Sequence, residues 1–223
     1  MTFSKPLDGW FTHLAWNIDL RQIGPFVRAS TSRDECLRLL TTLTDELNGK
    51  SSVNTAHSLE VTFIVPIKGA PQYDLALLVH SKNPMTTELV NRARKLGLPD
   101  PAYRLSAQNS GLIGDTEARN GEILLNHFTG AASSATAVKA WKSVSTWYLK
   151  HLGVDNSTLL EYTSNSPFLI TNYARLPGKV IPFLLGQIIR PSFYIVVQRQ
   201  LREAGIHPFP LFARRCQEAP PAG

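Results

Sequence analysis

The sequence predicts an α+β fold made of two copies of one β-α-β-β-α-β unit in tandem, the first over residues 1–114 and the second over 115–223. Three observations predict it. Stretches of period-two alternation and of helical periodicity come in the same order twice. A run rich in glycine and polar residues, 109–121, reads as the linker between the two series. The halves also align by residue type: Asp74-Leu-Ala-Leu-Leu-Val-His80-Ser-Lys82-Asn-Pro84 lies against Pro167-Phe-Leu-Ile-Thr-Asn-Tyr173-Ala-Arg175-Leu-Pro177, with a proline closing each.

In the first half, residues 12–20 place Leu14, Trp16, Ile18 and Leu20 on one face and His13, Ala15, Asn17 and Asp19 on the other. That is the period of a strand with one face on a core. Ser32 followed by Glu35 forms a capping box, and Cys36, Leu39, Leu40, Leu43 and Leu47 then recur at helical spacing until Asn48-Gly49. A polar loop, 50–57, precedes an alternating strand at 59–67, a Lys68-Gly69-Ala70-Pro71 turn and a short apolar strand at 75–79. Pro84 breaks the chain, Thr86 or Thr87 caps a helix that Gly97 closes, and residues 103–108 supply a fourth strand.

The second half repeats the order. A strand at 123–129 leads to a helix at 136–152 that stops before Gly153, and strands at 158–163 and 168–176 form a hairpin around Asn165-Ser166-Pro167. A helical region, 179–204, is interrupted at Pro191, which suits the first position of a fresh helix. Gly205 ends that region and residues 207–213 give the last strand.

Composition excludes several classes. With 43% apolar residues in 223 the chain buries a real core. Its first ten residues lack the apolar run of a signal peptide, and its two cysteines are scattered, so a cytoplasmic compartment is expected. The net charge of +6 sits mostly in the part beyond Thr116, but the basic residues are dispersed and no nucleic-acid-binding module is present, so specific nucleic-acid binding is not expected. Residues 180–197 are the nearest to a membrane span, yet they contain Pro182, Gln187, Arg190 and Pro191. An arginine at the bilayer centre costs about 2.5–3.5 kcal/mol on insertion scales, so peripheral contact through 180–197 is the membrane reading that remains. Hydrolase and zinc signatures are absent, and no metal site is expected.

Two β-α-β-β-α-β units are ferredoxin-like, and the tandem resembles the dimeric α+β barrel superfamily, in which two such sheets face each other around a barrel-like core. The resemblance covers most of the chain and rests on element order. It implies an oxidoreductase acting on a small hydrophobic or aromatic molecule held between the sheets, either haem-dependent, as in dye-decolourising peroxidases and chlorite-dismutase relatives, or cofactor-free, as in monooxygenases. The Gly-x-x-Asp-Gly element of the dye-decolourising group is absent.

Within that frame the strand residues 122–130, Glu-Ile-Leu-Leu-Asn-His-Phe-Thr-Gly, offer His127 as ligand or base. The face on which His127 lies is open, since Asn126 and Phe128 point the other way. His80 is a second candidate axial ligand, Tyr173 holds its equivalent position in the repeat, Arg175 matches Lys82 and suits an anion-orienting role, and Asn17 is a polar group turned away from the first helix. A hydrogen-bonded structural role is the alternative for a strand histidine. The competing functional reading is a non-catalytic protein that binds small molecules or anionic lipid at a membrane surface. Monomer and homodimer both suit the sequence.

Overall fold

A computed structural model of the chain describes residues 3–117, 121–163 and 166–216. Alternation along β1 (Trp10–Trp16) sends Leu14 and Trp16 into a core with Leu40, Leu43 and Leu47 of α1 (Thr31–Asn48). Each leucine fully removed from water contributes about 1.5–3 kcal/mol. The same core takes Leu75, Leu77 and Val79 of β5 (Leu75–Ser81) and Leu89, Val90 and Ala93 of α2 (Thr86–Lys95). Between α1 and β5 in the chain comes β4 (Val53–Ile64), beyond which the two-residue strands β3 (Phe26–Val27) and then β2 (Gln22–Ile23) extend the sheet. With β6 (Tyr103–Ile113) the strand order is β6-β1-β5-β4, and β1 is antiparallel to both its neighbours. That is the ferredoxin-like order.

The second set repeats it. β7 (Ile123–Gly130), α3 (Ser134–Leu152), β8 (Ser157–Tyr162), β9 (Ile170–Arg175) and β10 (Ile206–Arg215) give the strand order β10-β7-β9-β8. Between β9 and β10 lie α4 (Val180–Ile188), a π-helical turn (Phe193–Gln198) and α5 (Arg199–Glu203). The core here joins Phe128, Leu159 and Ile170 of the sheet to Trp141, Val144 and Trp147 of α3 and to Val197 and Leu201.

The chain divides into two compact units, Asp8–Ala107 with Ala213–Gly223, and Met1–Leu7 with Gln108–Phe212. In the first, Cys216 N–H donates to Ser58 O at 3.1 Å, so the last described residues border β4. In the second, Asn109 Nδ2 donates to Leu159 O at 2.8 Å and Leu7 N–H to Asn109 Oδ1 at 2.8 Å.

Several expected boundaries move. The cap of α1 is Ser30, in extended backbone, whose hydroxyl accepts from Arg33 N–H at 3.4 Å; Ser32 lies inside the helix. β4 starts at Val53, inside the expected polar loop, because Val53, Ala56 and Ser58 are buried while the polar residues between them face outward. β6 continues through residues 109–113 of the expected linker. The break at Pro191 is a bend of 82° between α4 and the helical segment Phe193–Glu203. Of the expected Asn165-Ser166-Pro167 turn, Asn165 lies outside the described residues. Among the described residues no single helix is long and apolar enough to cross a membrane.

Candidate functional site

The two faces of the β7–β9–β8 sheet differ in chemistry. Asn126 pairs with Asn172 and Phe128 with Ile170 across β7 and β9. This face packs on α3: Trp141 Nε1 donates to Asn172 Oδ1 at 2.7 Å, and the Ser157 hydroxyl donates to the same oxygen. Alternation therefore sends the pairs His127–Thr171, Leu125–Tyr173 and Ile123–Arg175 to the opposite, helix-free face. The structure thus settles the face of His127 and brings His127, Tyr173 and Arg175 onto one row.

His127 is fully buried. Its Nδ1 lies 2.6 Å from Thr171 Oγ1, and that hydroxyl also accepts from Tyr162 O–H at 2.9 Å. The Phe168 ring stacks on the imidazole at 4.4 Å between centroids. Burial pushes the Tyr162 phenol well above its ordinary range, so it stays a proton donor.

One step along β9, Tyr173 O–H donates to Glu117 Oε1 at 3.1 Å and accepts from Arg175 Nη2 at 3.3 Å. Burial raises the Tyr173 pKa to about 12, with the Arg175 charge acting in the opposite sense. The buried guanidinium of Arg175 also donates from Nε to Thr116 O at 3.1 Å and from Nη1 to Gly121 O at 3.3 Å. Asn156 holds the Arg175 backbone from both sides, its Oδ1 accepting at 2.7 Å and its Nδ2 donating at 3.1 Å. Thr116 and Thr158 share a hydroxyl hydrogen bond of 2.9 Å. Arg175 therefore ties Thr116 and Gly121 to β9, with Tyr173 bridging its positive charge to the Glu117 carboxylate.

The other two candidates belong to the first unit. His80 sits near the end of β5 on the helix-free face of its own sheet, as its repeat partner Tyr173 does. Its Nε2 is 2.8 Å from Asp8 O, its ring stacks on Phe11 at 4.3 Å, and burial lowers its pKa against the Asp8 hydrogen bond. Asn17 is exposed, just past the end of β1. Sequence reasoning missed Thr171, Tyr162 and Glu117, which complete the row. His13, which alternation along the first strand places on the face opposite Leu14, is fully buried, held edge-on to Tyr73 at 5.9 Å with its pKa lowered to about 4 by burial.

A haem would need a histidine nitrogen with an outward lone pair and room for the macrocycle beside it. Nε2 of His80 carries the proton it gives to Asp8 O. His127 has one nitrogen on Thr171, one ring face on Phe168 and no exposed surface, whereas space for a porphyrin would leave its ring open to water. The residues present do not fit a resident haem. Among the described residues no cluster of metal-ligating side chains occurs either.

No family model matches the sequence, and no curated protein is similar to it in sequence. Solved structures are similar in fold. A proposed monooxygenase from Lactobacillus acidophilus superposes with a TM-score of 0.55 at 11% identity, covering 95% of this chain and 100% of that one. An anthrone oxidase-like protein gives 0.53 at 7% identity, covering 96% and 95%. A mutant chlorite dismutase from Candidatus Nitrospira defluvii gives 0.56 at 10% identity, covering 93% and 91%. The chain shares with these structures the α+β fold of two ferredoxin-like repeats.

Proposed function

We propose that the protein is a cofactor-free oxidoreductase of the monooxygenase type, acting on a small, planar aromatic molecule with an acidic C–H bond. The observation that carries this reading is the buried row Tyr162–Thr171–His127 on the helix-free face of β7–β9–β8. Thr171 Oγ1 has two lone pairs, so it can accept from both Tyr162 O–H and His127 Nδ1–H. In that tautomer Nε2 is the basic nitrogen, and the proton chain fixes the ring's orientation. Phe168, stacked on His127 from the loop before β9, occupies the place where a planar substrate would stack, and binding replaces it.

The chemistry balances without a cofactor. His127 takes the C–H proton and leaves a resonance-stabilised carbanion. Dioxygen adds to that carbon, and the proton returned from His127 gives a hydroperoxide. Loss of water across the remaining C–H and the O–O bond gives the ketone, so substrate and one O2 become ketone and one H2O. A water-poor site favours the first step because the charge is delocalised over the substrate rather than solvated. Similarity in fold to an anthrone oxidase-like protein and to a proposed monooxygenase supports the substrate class.

Oxygen uptake with anthrone as probe tests this reading. Uptake that is abolished in His127→Ala, by protein that shows no Soret band after haem addition, is the expected result. No uptake by the unaltered protein, or equal uptake by His127→Ala, overturns it.

A further inference from the structure

The second unit carries an apolar surface that the proposed chemistry does not use. α4 buries Val180, Phe183 and Gln187 and turns Ile181, Leu185 and Ile188 outward. Ile189, at the end of the helix, is 70% exposed, and past the 82° bend Tyr194 and Ile195 are 46% and 64% exposed. The corner is braced, since Tyr194 O–H donates to Ile188 O at 3.1 Å and the Arg190 guanidinium donates to Gly186 O. These side chains thus form a fixed wedge.

The charges around it all favour one kind of partner. From Lys179 to Arg202 the sequence has no Asp or Glu, while Lys179, Arg190, Arg199 and Arg202 are basic. Glu203, the next residue, pairs with Arg199 at 2.7 Å. The space over Gly186 is taken by Leu152, which ends α3, and the last turn of α3 adds Lys150 and His151.

We propose that this wedge docks the protein onto an anionic lipid bilayer, with the isoleucines and Leu185 in the acyl boundary and the lysine and arginine side chains among the headgroups. An apolar face with a cationic border is what an interfacial helix needs. α4, at nine residues, is far too short to span a bilayer, which fits insertion in the plane of the interface. A second copy of this chain is the poorer occupant, because a two-fold contact would set the cationic border against itself.

Vesicle flotation of the full chain tests the proposal, with phosphatidylcholine alone and with added phosphatidylserine. The protein should float with the anionic vesicles only, and less so as salt rises. Ile189→Glu with Ile195→Glu should abolish flotation, and Lys179→Gln or Arg202→Gln should each weaken binding about fivefold, as expected for one cation near an anionic surface. Both isoleucines are more than half exposed, so the double variant keeps its fold, which circular dichroism reads directly. The comparison of the two vesicle compositions stands on the unaltered protein alone. Absence of flotation with either vesicle, or equal flotation of the double variant, overturns the proposal. So does a dimer in solution that becomes a monomer in the double variant, which would assign the face to a second copy.

Discussion

His127 and Thr171 face each other across β7 and β9 with 2.6 Å between Nδ1 and Oγ1, and the threonine hydroxyl is at the same time the acceptor for Tyr162. One small side chain thus satisfies two larger buried ones. Thr171→Val keeps the shape and removes the hydroxyl, so the imidazole and the phenol each lose one hydrogen bond. It should cost about 1–3 kcal/mol in urea unfolding, whereas Thr171→Ser should cost much less. Equal costs for the two variants would mean that packing, not hydrogen bonding, sets the role of Thr171.

Phe168 gives an independent handle on the same place. Phe168→Ala removes a ring that stacks on His127 at 4.4 Å and lies 6.3 Å from the Tyr162 ring, and should cost about 3–5 kcal/mol. The opening it leaves is shaped for an aromatic ring. Benzene or indole should therefore raise the melting temperature of Phe168→Ala in a concentration-dependent way, and by more than that of the unaltered protein, where the ligand has first to displace the Phe168 ring. Thermal melts with and without ligand check this.

Arg175 is buried and bound to two backbone carbonyls and to the Tyr173 oxygen. Lysine brings one charged nitrogen where the guanidinium brings three, so Arg175→Lys should lose about 3 kcal/mol or more. Tyr173→Phe, which deletes one acceptor and one donor while keeping the ring, should cost about 1 kcal/mol. Denaturant midpoints of the two variants decide the order.

Stability should fall on mild acidification. His13 is buried with its pKa lowered from 6.5 to about 4, so it is neutral in the folded state over that interval and protonates only on unfolding. The unfolded chain then binds more protons, and stability present above pH 6.5 is lost as the pH drops towards 4, by roughly 3 kcal/mol for this residue. His80, also lowered by burial, acts in the same direction. Unfolding free energies across that window should flatten in His13→Leu.

Element order was legible because apolar spacing along β1, α1, β7 and α3 reports directly on which face is buried. The equivalence of His80 and Tyr173 was legible for the same reason: parity along a strand survives even where residue identity does not. The face of His127 was not, because both sides of β7 carry apolar residues and the decision rests on Trp141, in α3, reaching Asn172. Thr171 and Tyr162 carried no signal, since a neutral hydroxyl in an apolar strand looks like ordinary strand composition. The glycine-rich continuation of β6 misled for a local reason. Gly111 lies under the Trp141 ring, where a Cβ would come within 2.5 Å of a ring carbon, so the glycine marks close packing rather than a loop.

Neither compact unit is continuous in sequence, for Ala213–Gly223 belongs with Asp8–Ala107 and Met1–Leu7 belongs with Gln108–Phe212. During synthesis Ser58 on β4 must therefore wait for more than 150 further residues before it gains its partner at Cys216. Until then a strand edge is open to other nascent chains, and the arrival of residues 213–216 sets the pace at which that hazard ends.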